Sequence, residues 1–363
     1  MTSLFSPLQL RGLTVRNRVW LAPMCQYQVT AHDGIPEDWH TVHYGARAVG
    51  GFGLIVTEAT GVSPEARISP ACTGLWNDDQ VLAWKGITDF AHSQGAVIGV
   101  QLNHAGRKAG TYPWLPGQPS GTIPLGEGGW ETHGPSALPQ QGLGTPREMT
   151  LEDIRKVIAD FAQASRRAVD AGFDTIEVHG AHGYLLHQFL TPLANKRSDD
   201  YGGSFENRTR LIREIVMAIR AEIPEEMPLL VRLSATDWIG DEPSWDLEQT
   251  VRLVAILKDL GVDVVDISTG GASPARIPVR PGYQVPFAAR VKKEVGISTS
   301  TVGLITEAHQ AQQLLDEGQA DIVSLGRAAL RDPSWPQRAA HELGLPSEET
   351  PFPTSYWRAA WPK

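Results

Sequence analysis

Ala171-Gly172-Phe173-Asp174 runs directly into Thr175-Ile176-Glu177-Val178-His179, and the same junction returns twice further along the chain. Leu260-Gly261-Val262-Asp263 precedes Val264-Val265-Asp266-Ile267-Ser268, and Gly318-Gln319-Ala320-Asp321 precedes Ile322-Val323-Ser324-Leu325. Each time a helical period stops at a glycine suited to a C-terminal cap, and a short β-branched or apolar run follows. Such helix-to-strand junctions belong to a parallel sheet, because parallel strands need helical crossovers. Working outward, strands are expected over 18–24, 53–57, 97–103, 175–179, 229–233, 264–268, 298–302 and 322–325. Helices are expected over 38–49, 78–94, 151–171, 205–223, 247–260, 285–294, 307–317 and 334–343. Eight units imply an α/β fold, a single (β/α)8 TIM barrel spanning 1–363. An open doubly wound sheet would carry Gly-x-Gly-x-x-Gly after its first strand, and this chain does not.

Two stretches break the rhythm. Residues 105–149 are rich in Pro and Gly, carry Trp114 and Trp130 and show no helical period, which reads as a lid or binding loop after strand three. Thr150 with Asp153 then reads as an N-terminal cap. The tail 351–363 holds Tyr356, Trp357, Arg358 and Trp361, a composition rarely left in water. Composition narrows the function classes. With 32 Lys plus Arg against 41 Asp plus Glu, a formal charge of -9 and no basic tract, a nucleic-acid partner is not expected. Cys25 and Cys72 are the only cysteines, sit in dissimilar surroundings and form no Cys-x-x-Cys, so neither a disulfide framework nor a structural zinc or iron–sulfur cluster is expected. There is no run of 18 apolar residues, and the N-terminus lacks a basic start followed by an apolar stretch, so a cytoplasmic protein without a membrane partner is expected.

In a barrel, ligands bind where the strands end. Strand one runs out in Pro23-Met24-Cys25-Gln26-Tyr27, strand two in Glu58-Ala59-Thr60, strand three at Gln101 and His104, strand four in His179-Gly180-Ala181-His182-Gly183-Tyr184, and strand five offers Arg232. Gly303 after strand seven and Gly326 with Arg327 after strand eight suit an anion, since glycine lets backbone N–H groups approach it, although two tight turns would look the same. His179 and His182 are open to three readings: metal ligands, core groups, or a hydrogen-bonding pair for a substrate oxygen. A catalytic zinc would need a third ligand, for which only His104 offers itself. Tyr184 is placed to donate a proton or to sit as a buried ring. Gln101, a donor and acceptor, and Arg232, a charge that an interior tolerates only with a partner, would suit a planar, electron-rich heterocycle.

Several of these segments together resemble the Old Yellow Enzyme family: Pro23 to Tyr27, Gln101-Leu102-Asn103-His104-Ala105-Gly106-Arg107, His179 to Tyr184, Asp199-Asp200-Tyr201-Gly202-Gly203-Ser204-Phe205-Glu206-Asn207-Arg208, and Gly326-Arg327. The resemblance spans nearly the whole chain. Cys25 with Tyr27 two residues on is similar to the thermophilic-like ene-reductase subclass. The resemblance implies noncovalent FMN, NADPH or NADH as reductant, and hydride transfer to the activated alkene of small unsaturated carbonyl or nitro compounds. It places Pro23, Met24, Cys25, Ala59, Gln101 and Arg232 around the flavin ring and Gly303, Gly326 and Arg327 at its phosphate. His179 and His182 would hold the substrate oxygen, Tyr184 would protonate the neighbouring carbon, and Tyr27 would line the substrate pocket. No metal belongs to this reading. A homodimer or higher homo-oligomer is expected, with Arg358 entering the partner's substrate site. The rival readings are a metal-dependent barrel hydrolase using His179 and His182, and a flavin-binding protein without turnover.

Overall fold

The computed structural model describes residues 3–359 and 361. Eight parallel strands close into a barrel: β1 (Val19–Leu21), β2 (Leu54–Gly61), β3 (Val97–Asn103), β4 (Thr175–Gly180), β5 (Leu229–Ser234), β6 (Val264–Ser268), β7 (Ser298–Thr301) and β8 (Ile322–Leu325). Neighbours in sequence are neighbours in the sheet, and β8 closes on β1 with Val323 opposite Val19 and Leu325 opposite Leu21. The long helices lie outside and bury one stripe each, whereas the short Leu185–Leu190 is buried all round. In Leu151–Asp170 that stripe is Ile154, Val157, Phe161, Ala164 and Ala168, spaced three and four apart as helical geometry demands. The helix begins at the expected cap: Thr150 Oγ1 accepts from Asp153 N at 3.1 Å, and Asp153 Oδ2 accepts from Thr150 N at 2.7 Å.

The differences from the sequence-based expectations have local causes. The strand expected over 18–24 stops at Leu21, because Pro23 has no N–H for the ladder. Residues 22–28 leave the sheet and line the mouth. β2 runs to Gly61 rather than Thr57, and its register with β3 slips between Val56 and Ala59, a bulge that re-aims Glu58. The helix expected over 205–223 is two, Phe205–Arg208 and Arg210–Glu222, broken at Thr209. A hairpin, Leu8–Leu10 with Leu13–Val15, was not foreseen. Its Leu10 and Val15 pack with Trp20, Leu54, Leu230, Val264 and Ile322, closing the end of the barrel opposite the mouth.

The irregular loop has short turns and one two-stranded parallel pair, His133–Gly134 with Arg147–Glu148. Trp130 anchors it, with Nε1 donating to Glu65 O at 3.0 Å and the Arg67 guanidinium between its ring and that of Trp76. Trp114 is exposed. In the tail, Trp361 stacks on His341 of the same chain, while Tyr356 and Trp357 are exposed. Ala360, Pro362 and Lys363 of that segment lie outside the described residues. Among the described residues no helix is long and apolar enough to cross a membrane.

Candidate active site

The strand ends bring most of the expected residues to one mouth. Ala59, Gln101 and Glu177 lie level across β2, β3 and β4, and His179, Arg232 and Asp266 lie level across β4, β5 and β6. Gln101 Nε2 donates to Glu177 Oε1 at 2.7 Å, and Arg232 Nε sits 3.0 Å from Asp266 Oδ2. Asp266 is thus the partner a buried guanidinium requires. Burial first, then the charge of Asp266, pushes the Glu177 carboxyl up to about 8, with Arg232 pulling the other way. Burial likewise raises Asp266. Two carboxyls facing one guanidinium let this layer hold a proton at neutral pH.

After β4 the chain turns sharply. His182 and Gly183 have φ of 57° and 73°, and a Cβ on Gly183 would stand 2.0 Å from Gly271 O. Only glycine fits there. The turn sets the His179 and His182 rings 5.2 Å apart and the His179 and Tyr184 rings 5.0 Å apart. It is held from behind by His187, whose Nδ1 accepts from Gly183 N at 2.9 Å and whose Nε2 lies 2.9 Å from Asp237 Oδ1. His182 Nε2 is 2.6 Å from Ser268 Oγ, itself 3.2 Å from Gln284 Oε1. His179 Nδ1 is buried and has no hydrogen-bond partner.

Burial, followed by Arg232, holds both imidazoles well below the ordinary histidine value, so both are neutral at pH 7. Burial, followed by the nearby Cys25 and Cys72, raises Tyr184 well above the ordinary tyrosine value, so its proton stays in place. Lys108 Nζ donates to His182 O at 2.7 Å and Gly271 O at 2.9 Å, and lies 5.2 Å from the centre of the Tyr184 ring. Burial and Arg107 lower this ammonium to about 8.

Beside the histidines opens a cleft of about 270 Å³ walled by Arg232, Ser268, Gln284, Gly303, Gly326 and Arg327. Gly303 has φ of 125°, and a Cβ there would come within 3.0 Å of Tyr283 and Gln284. Arg327 is exposed at the cleft and makes no ion pair among the described residues. Met24 reaches this side, since a Cβ on Gly326 would meet its Sδ at 3.6 Å. A cationic end, a glycine wall and a buried guanidinium behind it fit a phosphate-bearing heterocycle. On the other side of the mouth Cys25, Tyr27, Tyr184 and Trp130 pack around Ala59, Cys72 and Ala105.

The profile of the NADH:flavin oxidoreductase / NADH oxidase family matches residues 3–346. The chain belongs to that family. It is 47% identical over 348 residues to an NADPH dehydrogenase of Geobacillus thermodenitrificans, covering 96% of each chain. It is 43% identical over 360 residues to an NADPH dehydrogenase of Listeria innocua, covering 99% of each. Among solved structures it superimposes on morphinone reductase in complex with tetrahydroNAD (TM-score 0.78, 30% identity, 95% of this chain and 92% of that one). It also superimposes on the old yellow enzyme homologue of Zymomonas mobilis (TM-score 0.78, 28% identity, 99% and 100%). The protein is therefore an FMN-dependent, NAD(P)H-oxidising flavin oxidoreductase of the Old Yellow Enzyme type.

Within this family member, the sequence reading overlooked several residues. The end of β6, with Ser268, was assigned nothing, although every other strand end but that one was read. Lys108 follows the Gln101–Arg107 segment directly. Glu177 and Asp266 point into the barrel from the strand residues that the alternation rule places inside. Cys25 and Cys72, read as lying in dissimilar surroundings, instead meet: with Glu58 they form a group whose ligand atoms all lie within 4.8 Å of one another. That is a correction, and its cause is the bulge in β2 together with the return of the loop after it. His104, the third ligand that a metal at His179 and His182 would need, spends Nδ1 on Gly106 N at 3.0 Å. Among the described residues, the two histidines are not joined by a third metal-type ligand. The Asp199–Arg208 motif does not reach the mouth. Its Arg208 bonds Leu190 O and Asn195 Nδ2 donates to Tyr201 O, so it braces the helix Leu185–Leu190 that follows the histidine turn. Arg358 is exposed, with its guanidinium over the Trp357 ring of its own chain at 5.4 Å.

Proposed function

We propose that the protein is an ene-reductase acting on small α,β-unsaturated carbonyl or nitro compounds. The observation that carries this reading is the buried, unpartnered Nδ1 of His179 set beside His182 and Tyr184. A buried polar atom left without a partner costs about 1–3 kcal/mol, and a ligand oxygen would satisfy it. Bound there and reduced by NADPH or NADH, FMN would supply the hydride that the substrate's β-carbon takes up. Pro23, Met24, Cys25, Ala59, Gln101 and Arg232 would hold its ring, and Gly303, Gly326 and Arg327 its phosphate.

The chain's own groups do the rest. His179 and His182, both neutral, donate to the substrate oxygen and stabilise the negative charge that grows on it. For His182 to donate through Nδ1, its Nε2 must accept, so the Ser268 hydroxyl must turn its single proton from Gln284 Oε1 at 3.2 Å, which keeps Thr269 Oγ1 as a donor, to Nε2 at 2.6 Å. Tyr184 gives its proton to the carbon beside the carbonyl. Its raised pKa keeps the acid loaded and restricts transfer to a strongly basic carbon, and the Lys108 ammonium beneath the ring favours the phenolate left behind. Tyr27 lines the substrate side of the pocket. The protein works as a homodimer or larger assembly, in which Arg358 on its aromatic tail reaches the partner's pocket; the exposed Tyr356 and Trp357 beside it support this.

The test is turnover of NADPH with cyclohexenone in the absence of oxygen, with product analysis. Formation of the saturated ketone in step with NADPH consumption is expected. Oxidation of NADPH by oxygen alone, with the alkene untouched, would refute the reading. The donor set speaks against the hydrolase alternative, since among the described residues no third ligand joins the histidine pair. The loaded acid beside two oxygen-binding donors speaks against a flavin carrier without turnover.

A further inference from the structure

We propose that Cys25, Cys72 and Glu58 form a binding site for a thiophilic divalent cation of the zinc class, separate from the histidine pair. Their two thiols and carboxylate lie within 4.8 Å of one another, close enough for side-chain rotation to bring two sulfurs and one oxygen onto a single ion. Cys72 and Glu58 are fully buried, while Cys25 is half-buried at the mouth and offers the way in. Three protein ligands leave a fourth position on the Cys25 side, where the flavin ring would also lie, so the site is open towards the cofactor pocket rather than sealed.

The carboxylate is held in place for this role. Glu58 Oε2 accepts from Gln26 N at 3.0 Å, and Oε1 lies 3.3 Å from His40 Nε2. His40 Nδ1 accepts from Glu37 N at 2.9 Å, which leaves the N–H of the ring on Nε2, on the side of the carboxylate. His40 Nε2 stands against the carboxylate without hydrogen-bond geometry, and the groups that fix its direction are Gln26 N on Oε2 and Tyr44 Oη, which donates to Oε1 at 3.5 Å. Binding exchanges two thiol protons for one dication, leaving two thiolates and one carboxylate on the metal. The net charge of the pocket is the same before and after, so the apolar surroundings of Ala59, Ile68, Ala105 and Ala109 impose no added charge burial. Thiolate ligands select soft and borderline ions over magnesium or calcium.

The experiment titrates cadmium, as the optical reporter of this class, into the FMN-loaded protein and follows thiolate-to-metal charge-transfer absorbance, a signal histidine or carboxylate sites cannot produce. One equivalent per chain is expected, reversed by a chelator and lost in Cys72→Ser. In the wild-type protein, cadmium should also stop alkylation of Cys25 by iodoacetamide, a readout that does not depend on a variant folding. No charge-transfer band at one equivalent, a band that survives Cys72→Ser, or unchanged alkylation of Cys25 would overturn the proposal. None of these readouts uses alkene turnover, so the cation site and the ene-reductase reading stand or fall separately.

Discussion

Ser268→Ala isolates the control of a histidine tautomer. In the native protein the hydroxyl sits 2.6 Å from His182 Nε2. Removing it leaves the position of the ring largely intact, because His182 N still donates to Ser234 Oγ at 2.9 Å and Lys108 still holds His182 O. Gln284 also keeps a donor, Thr269 Oγ1 at 2.8 Å. The loss therefore falls on His182 Nε2, which no longer has a donor to make it the acceptor, and its Nδ1 proton is no longer assured for the ligand. Leaving a half-buried ring nitrogen without its partner costs about 1–2 kcal/mol, roughly 5- to 30-fold in affinity for a phenol-type ligand. His182→Ala removes the donor itself and should cost about 3 kcal/mol. The decisive assay is the double-mutant cycle, with ligand affinity read from the perturbation of the flavin absorbance. If Ser268 acts through His182, Ser268→Ala adds almost nothing in the His182→Ala background. Additive losses would refute the tautomer argument and show that Ser268 serves the cleft directly.

Three further expectations follow from the same geometry. Tyr184→Phe should slow alkene reduction by at least the roughly 100-fold of a lost general acid while leaving flavin reduction by NADPH near its native rate, as rapid-mixing experiments on each half-reaction would show. Because burial keeps His179 and His182 neutral, KM for cyclohexenone should show no step near pH 6.5. The step belongs near pH 8, where Lys108 loses its charge and Glu177, bonded to Gln101, loses its proton, and turnover falls. Between about 8 and the ordinary lysine value of 10.5 the unfolded chain binds more protons than the folded one, so Lys108's contribution to stability rises as its contribution to activity declines, a divergence that chemical denaturation at each pH would reveal. Finally, ending the chain before Pro351 should weaken assembly and substrate affinity together while FMN stays bound. A truncated protein that keeps its oligomeric state and its KM would remove Arg358 from the partner's pocket.

What the sequence carried by itself was whatever depends on local order. The glycine-capped junctions at Gly172, Gly261 and Gly318, the eight alternating units and the Thr150–Asp153 cap are written within windows of a few residues, and the structure reproduces them within about three residues at most ends. The residues of the mouth could be read because a barrel places every strand's C-terminal end on one face. Other features needed the closed tertiary structure. Pro23 ends β1 early, but only the bulge in β2 turns Glu58 towards Cys25 and Cys72, and no spacing in the chain records that meeting. Ser268 matters because β6 closes beside β5 and sets its hydroxyl against His182, 86 residues away in sequence. Glu177 holds a proton at neutral pH because a dry interior and then the charge of Asp266 surround it, and desolvation is a property of everything packed around a group rather than of its neighbours in the chain.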